Sequence, residues 1–194
     1  MGTSGVYATD FNNDLRPDVL LLGGENPVLL ENTANGFVET GLLPALDGTV
    51  RSALFFDATG DGTEDLLMLR MYDTPVLLEN TENGYERAEM QLNISLDVPM
   101  GATAADFTGN GCLDLFIIQN GDLNQTGWRG SMVDHVPITQ DNGQRNYLVT
   151  SDCESFSVST NPVFNTTMWS LSTSTVDLTG NGWPDIHVAN VFQS

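Results

Sequence analysis

Residues 57–65 read DATGDGTED, and this acidic stretch lies between two apolar runs of the chain. Three further stretches share its spacing of polar residues: 10–18 (DFNNDLRPD), 106–114 (DFTGNGCLD) and 177–185 (DLTGNGWPD). All four have Asp at position 1, Asn or Thr at position 3, Asp or Asn at position 5 and Asp at position 9. The apolar runs beside these stretches predict a strand on each side of every one. We therefore call them loops and number them 1 to 4 in chain order.

A second repeat runs in step with the loops. Residues 27–33 (PVLLENT) recur as residues 75–81, 48 positions later, and each copy is followed by an Asn-Gly pair and an aromatic residue. Strand, Asn-Gly and strand together predict a β-hairpin with a primed turn. A fainter copy at residues 147–149 is closed by Phe156. Because helical periodicity is almost absent, we expect an all-β chain, and the 48-residue period is typical of a four-stranded propeller blade.

The charge balance excludes some partners and favours others. The 194 residues include 26 Asp and Glu against 6 basic residues, all of them Arg, for a net charge of −20. Nucleic acids and anionic membranes require a basic surface, so we expect neither as a partner. No apolar run is long enough to span a bilayer, and the first residues do not resemble a secretion signal. Divalent cations, or a host living in high salt, suit this composition.

The four loops have the chemistry of a calcium site. Ca²⁺ takes six to eight oxygen ligands from carboxylates, amides and backbone carbonyls. Positions 1, 3, 5 and 9 would supply side-chain oxygens and position 7 a backbone carbonyl, which explains why the residue type at position 7 varies. The predicted ligands, for up to four Ca²⁺ ions, are Asp10, Asn12, Asp14, Arg16 and Asp18; Asp57, Thr59, Asp61, Thr63 and Asp65; Asp106, Thr108, Asn110, Cys112 and Asp114; and Asp177, Thr179, Asn181, Trp183 and Asp185.

Two qualifications come from the residues themselves. The loops are not EF-hands, because the twelfth position holds an apolar strand residue instead of Glu. Glycines at positions 4 and 6 allow a positive φ, but loop 1 has Asn13 and Leu15 there, so we expect that loop to be distorted. The alternative interpretation is that Asp, Asn and Gly form ordinary acidic turns without metal.

The loop with its flanking strands, followed by LLENTANGF (residues 29–37), resembles the FG-GAP/VCBS repeat of integrin-type β-propellers. The stretch GNGWPDIHVAN (residues 180–190) is most similar to the cartilage-acidic-protein-like group. This resemblance implies a propeller with Ca²⁺ between the first two strands of each blade. It also implies an extracellular or cell-surface protein without catalytic activity, acting in adhesion, surface structure or assembly. The alternative is a carbohydrate-binding or carbohydrate-processing propeller, so the expected ligand is a protein or a glycan.

The repeat spacing predicts about three and a half blades. They are residues 5–43, 51–92, 101–160 with an insertion at 121–142, and a half blade at 169–194. A closed propeller needs at least four blades. We therefore expect one propeller segment that pairs through its open edges with further blades of a longer chain or with another copy.

The cysteine, tryptophan and histidine residues give three further predictions. In an up-and-down blade the first and third connections lie on one rim, which places Cys112 near Cys153 and predicts a disulfide. Trp128, Trp169 and Trp183 are expected in blade packing, with a sugar-stacking platform as the alternative. His135 and His187 are isolated, and the nucleophile motif Gly-x-Ser-x-Gly is absent from the sequence.

Overall fold

The computed structural model describes residues 3–23, 26–121, 143–164 and 167–191. Within these ranges the chain forms β-strands and a short 3-10 turn, Pro162–Phe164, which confirms the all-β class. The predicted insertion lies outside the described residues apart from Gly121, as do Trp128 and His135. The strands are β1 (Thr3–Thr9), β2 (Asp18–Gly23), β3 (Val28–Thr33), β4 (Gly36–Glu39), β5 (Val50–Phe56), β6 (Asp65–Arg70), β7 (Val76–Thr81), β8 (Gly84–Arg87), β9 (Pro99–Ala105), β10 (Asp114–Gln119), β11 (Gln144–Arg145), β12 (Tyr147–Ser151), β13 (Phe156–Val158), β14 (Thr167–Met168), β15 (Ser170–Val176) and β16 (Asp185–Asn190).

The described strands form antiparallel sheets in which neighbours in sequence are mostly neighbours in space. The first sheet has the order β1-β2-β3-β4, the second β5-β6-β7-β8 and the third β9-β10-β12-β13. The fourth sheet contains β15 and β16, and a small ladder pairs β11 with β14. Four-stranded antiparallel sheets repeated along the chain are the architecture of a propeller blade.

The two repeated hairpins form where the sequence predicts them, but their turns are not primed. Thr33 pairs with Gly36, so Ala34 and Asn35 are the turn residues, and neither has a positive φ. The positive φ falls instead on Gly36, at 108°. Thr33 Oγ1 donates to the carbonyl of Gly36 and accepts from the N–H of Asn35, which closes a tight two-residue turn. The hairpin at Gly84 repeats this arrangement, with φ of 110°.

Consecutive sheets pack face to face. The second sheet therefore buries both faces of β6, which explains why the sequence of β6 is apolar without alternation. All six residues of β6 are buried. Leu66 and Met68 lie in one apolar cluster with side chains of the first sheet, namely Leu20, Leu22 and Leu29. Leu67 and Leu69 lie in a second cluster with side chains of the third sheet, namely Leu115, Ile117 and Val149. Each fully buried Leu contributes roughly 2 kcal/mol to folding, so these two interfaces fix the stacking of the sheets.

The third sheet packs with its other face on the segment that leads into the fourth. Phe116 meets Phe164 edge to face, with ring centroids 5.8 Å apart. Trp169 is 4 % exposed, as expected for packing, whereas Trp183 is 55 % exposed. The ring of Trp183 covers Gly109 so closely that a Cβ at that glycine would lie 2.6 Å from it. A residue of loop 4 therefore rests on loop 3.

Candidate metal-binding loops

Each acidic loop connects the first two strands of its sheet. Loop 1 joins β1 to β2, loop 2 joins β5 to β6, loop 3 joins β9 to β10 and loop 4 joins β15 to β16. The position-9 Asp of every loop is the first residue of the second strand. The backbone ladder of the sheet thus fixes both ends of each loop.

The carboxylate at position 1 is surrounded by the N–H groups of its own loop. Asp57 Oδ1 accepts from the N–H groups of Gly60 (2.6 Å) and Asp61 (3.1 Å), and its Oδ2 accepts from Gly62 (2.9 Å). Asp106 in loop 3 and Asp177 in loop 4 repeat these three bonds. The backbone N–H groups, that of position 6 foremost, hold the pKa of Asp106 and of Asp177 below its usual value. In loops 3 and 4, position 1 is therefore an ionised group that organises the turn.

Loop 1 keeps the left-handed backbone at positions 4 and 6 without glycine, but its hydrogen bonds differ from those of the other loops, because the N–H of Asn13 donates to the backbone carbonyl of Asp10 (3.3 Å). Asn13 and Leu15 have φ of 57° and 67°, in the same left-handed region as Gly60 and Gly62. Asp10 accepts from the N–H groups of Asp14 and Leu15, both at 2.9 Å. Leu15 can adopt this positive φ because its side chain is 90 % exposed, so the steric cost is confined to its own backbone.

In loops 1, 2 and 3 the buried carboxylate at position 9 ties the loop to the third strand, a role that sequence reasoning missed. Asp65 Oδ2 accepts from the N–H groups of Ala58 and Thr59, while Oδ1 accepts from Asn80 (3.0 Å) in β7. Burial is the main cause that raises the pKa of Asp65. Asp114 makes the same bonds with Phe107, Thr108 and Ser151. In loop 4, Leu178 and Thr179 donate to Asp185.

Loop 1 differs from the others at this position. Asp18 is fully buried, and its Oδ1 accepts from the N–H of Asn32 (2.8 Å). Its Oδ2 is buried without a hydrogen-bond partner among the described residues. A signal for the strand contact was available, because Asn32 and Asn80 occupy the same place in the repeated PVLLENT segment.

Positions 3, 5 and 7 contribute mostly local contacts. Asn12 Oδ1 accepts from the N–H of Asp14 (3.1 Å). Asp61 Oδ1 accepts from the hydroxyl (2.6 Å) and the N–H (2.8 Å) of Thr63, and these bonds lower the pKa of Asp61. The buried hydroxyl of Thr59 lies near Asp61 but makes no well-formed hydrogen bond. In loops 3 and 4 the position-5 amide oxygen accepts from the N–H of position 7, the pairs being Asn110 with Cys112 and Asn181 with Trp183.

The side chain at position 7 reaches a different neighbour in each loop. Arg16 forms an ion pair with Asp14 and donates from Nε to the carbonyl of Asn32. Cys112 is joined to Cys153 by a disulfide with Cα atoms 5.3 Å apart. Trp183 covers Gly109. In loop 2 the hydroxyl of Thr63 donates to Asp61. The free variation of this position in the sequence therefore corresponds to a different side-chain contact in each loop.

The donor atoms of the four loops suit a hard cation in type, although their carboxylates do not converge. Among the described residues no group of three or more His, Cys, Asp or Glu side chains converges as a metal centre, because the carboxylates face the N–H groups of their own loops. The donor atoms at positions 1, 3, 5 and 9 are nevertheless all oxygens, which Ca²⁺ prefers. Asp18 Oδ2 in loop 1 and Thr59 Oγ1 in loop 2 are buried oxygens that a cation would satisfy. The types of donor atom in the loops therefore fit Ca²⁺.

The sequence profile of the FG-GAP-like repeat matches residues 10–68 and again residues 57–117. The two matches together run from residue 10 to residue 117, which is more than half of the chain. The chain belongs to the FG-GAP-like repeat family. Each FG-GAP-like match begins at position 1 of a loop and ends in the second strand of the next sheet. No curated protein matches the chain, and its predicted place in the cartilage-acidic-protein-like group stays a prediction.

Successive FG-GAP-like repeats are joined at the loops themselves. The side-chain amide of Asn80 donates to the carbonyl of Phe11 (2.8 Å), which links β7 to loop 1. Thr9, beside loop 1, donates to the carboxylate of Glu64 in loop 2 (2.7 Å). Glu64 and Asn80 were not among the predicted site residues. Together they hold the first two loops side by side, at the same rim of the stacked sheets.

No helix among the described residues is long and apolar enough to cross a membrane.

Proposed function

We propose that this FG-GAP-like chain is a calcium-binding β-propeller segment of an extracellular or cell-surface protein, acting in adhesion, surface structure or assembly. The observation that carries the proposal is uncompensated charge. Loop 2 holds three Asp and loops 3 and 4 hold two each, and among the described residues none of these carboxylates has an ion-pair partner. Close carboxylates repel one another by up to a few kcal/mol per pair at an effective dielectric of about 20. A bound cation replaces this repulsion between carboxylates with attraction to the cation.

Calcium suits these loops better than other common metal ions. All side-chain donors are hard oxygens, and two backbone positions in each loop already take the left-handed conformation that a tightly wrapped loop needs. Ca²⁺ would be held by positions 1, 3, 5 and 9 of each loop together with the carbonyl at position 7. When bound, it neutralises the loop and ties together the two strands that the loop connects.

The disulfide supports the proposed cellular setting. A bond between Cys112 and Cys153 is typical of proteins that fold in an oxidising compartment. Calcium at millimolar concentration is found in the same extracellular places, so loops of modest affinity would be filled there. We therefore place the chain outside the cell, with a protein or glycan partner on its loop rim and no catalytic activity.

The test is isothermal titration calorimetry on protein stripped with chelator. We expect saturable, exothermic or endothermic heats for Ca²⁺ with up to four sites, and weaker binding of Mg²⁺, which tolerates such loops poorly. Asp61→Asn, which gives loop 2 the position-5 residue of loops 3 and 4, should weaken its site. A titration without binding heat for Ca²⁺ at low ionic strength contradicts the proposal.

One observation favours the alternative of a carbohydrate-binding propeller. The ring of Trp183 is more than half exposed on the loop rim, where an aromatic face can stack on a sugar. Trp169 cannot join it, because that side chain is buried. A glycan array probed with and without Ca²⁺ decides between the two. Saturable binding that Trp183→Ala abolishes supports the lectin, and an array without signal supports the structural role.

A further inference from the structure

Loop 1 carries its own cation. Arg16 at position 7 pairs its guanidinium with Oδ2 of Asp14, and its backbone N–H donates to Oδ1 of the same carboxylate (2.9 Å). Its Nε also donates to the carbonyl of Asn32 (2.6 Å), at the end of β3. Both oxygens of the position-5 carboxylate are therefore engaged by one residue. The guanidinium is in turn anchored to the neighbouring strand.

Loop 2 offers the direct comparison, because it has the same three Asp at positions 1, 5 and 9. Its position 7 is Thr63, whose two hydrogen bonds both fall on Oδ1 of Asp61. Among the described residues Asp61 has no basic partner. Loop 2 also carries Glu64 at position 8, where loop 1 has Pro17, so the two loops differ by two charges. Of these two, only the tethered cation Arg16 lies against the position-5 carboxylate that a metal would need.

We propose that Arg16 is a tethered counter-cation of loop 1, which stabilises this loop without metal and competes with Ca²⁺ for Asp14. The inference rests on the proposed function, and it deepens that function by ranking the sites: loop 2 fills with Ca²⁺ before loop 1. A guanidinium and a divalent ion on the same carboxylate repel each other, so binding at loop 1 requires the Arg16 side chain to move away.

The competition weakens the loop 1 site but does not abolish it. The side chains of Arg16 and Asp14 are 46 % and 24 % exposed, so water screens their ion pair and the guanidinium can leave. Asp18 Oδ2 meanwhile stays buried and has no hydrogen-bond partner among the described residues, and the Arg16 guanidinium pairs with Asp14. Loop 1 therefore keeps one buried carboxylate oxygen, Asp18 Oδ2, that a cation can still bind.

The test exchanges position 7 between the two loops. Arg16→Thr gives loop 1 the residue of loop 2, and Thr63→Arg gives loop 2 the residue of loop 1. Arg87→Thr, at an exposed residue of β8, is the control for the change in net charge. The loops are observed separately through the backbone amide NMR signals of Asp14 and Leu15 and of Asp61 and Gly62, during a Ca²⁺ titration of the stripped 194-residue chain.

We expect the wild-type amides of loop 2 to respond at lower Ca²⁺ concentration than those of loop 1. Arg16→Thr should lower the half-saturating concentration of loop 1 by about three- to tenfold relative to Arg87→Thr, and Thr63→Arg should raise that of loop 2 by a similar factor. In chelator, hydrogen exchange at Leu15 should be slower than at Gly62, and Arg16→Thr should remove the difference.

Two results overturn the inference, and they are distinguishable. If loop 2 binds Ca²⁺ but Arg16→Thr shifts loop 1 no more than Arg87→Thr does, Arg16 is only a structural contact and the proposed function survives. If the amides of neither loop respond to Ca²⁺ in any variant, the proposed function fails and the ranking of sites fails with it.

Discussion

Cys112 in loop 3 is bonded to Cys153 in the turn between β12 and β13, with Cα atoms 5.3 Å apart. The bond joins the two connections that lie at the same rim of the third sheet, and it closes a chain segment of 41 residues that includes the insertion. Asn110 supports the same junction, because its side-chain amide donates to the carbonyl of Ser151 (2.7 Å).

Breaking this disulfide should destabilise the chain. Closing a loop of this length stabilises a folded protein by about 3–4 kcal/mol in the chain-entropy description. We expect Cys112→Ser with Cys153→Ser to lower the urea midpoint, and reductant to do the same to the wild type but not to the double variant. Equal midpoints for the oxidised wild type and the double variant would show that the bond contributes nothing.

Leu15 offers a stabilising substitution. It has a positive φ and an almost fully exposed side chain, so Leu15→Gly removes strain and sacrifices little packing. We expect a gain of about 0.5–1 kcal/mol in the free energy of unfolding. Leu178→Gly is the matched control, because Leu178 is also exposed in a loop but has no positive φ, and this change should be neutral or destabilising. A loss of stability in Leu15→Gly would show that the strain is absent.

The loops show how far the sequence could predict this structure. Spacing alone placed the four loops between strands, because Asp, Asn and Gly at fixed offsets beside apolar runs allow few other arrangements. The left-handed φ of Leu15 could not be predicted, because the energy that holds it comes from Asp10 accepting two backbone N–H groups. The turn at Asn35 was placed correctly and its type was wrong, because Thr33 closes it through its hydroxyl.

The position-9 carboxylates mark the limit of prediction at the candidate site. The sequence assigned Asp65 to a metal, whereas the structure gives it three backbone hydrogen bonds, one of them to β7. Such a contact joins residues 15 apart in sequence and depends on the register of three strands. Only the repeated Asn in PVLLENT hinted at it.

Acid should weaken the turn that carries Cys153. The N–H groups of Ser155 and Glu154 and the Ser155 hydroxyl hold the pKa of Asp152 below its usual value near 3.8. Because folding lowers this pKa, the stabilisation is complete above about pH 4 and is lost as the pH falls through the folded value. We expect Asp152→Asn to be less stable than wild type at pH 6, with a gap that closes below pH 3 to 4 in chelator, measured by urea unfolding. Glu154→Gln, with the same charge change nearby, is the control, and a gap independent of pH would contradict the assignment.

The outer edge of the fourth sheet leads us to expect that the chain associates with other copies of itself. Among the described strands β16 pairs only with β15, so no described strand bonds to the N–H and C=O groups of its outer edge. We expect the 194-residue chain to form dimers or larger species, or to pair with further blades where they are present. Sedimentation velocity over a range of concentrations measures this. A monodisperse monomer that unfolds cooperatively at high dilution would contradict it.

The central claim is that the acidic loops bind calcium, and a thermal melt at low salt tests it most directly. In excess Ca²⁺ the midpoint should rise well above that in chelator, since ligand at about 100 times its dissociation constant stabilises the folded state by about 2.7 kcal/mol per site. Asp61→Asn should keep its fold in chelator, because an amide oxygen at this position still accepts from position 7, as Asn110 does. The same variant should lose part of the calcium response, and Asp57→Ala should lose more. A wild-type midpoint that is the same in Ca²⁺ and in chelator would show that the four loops are plain acidic turns.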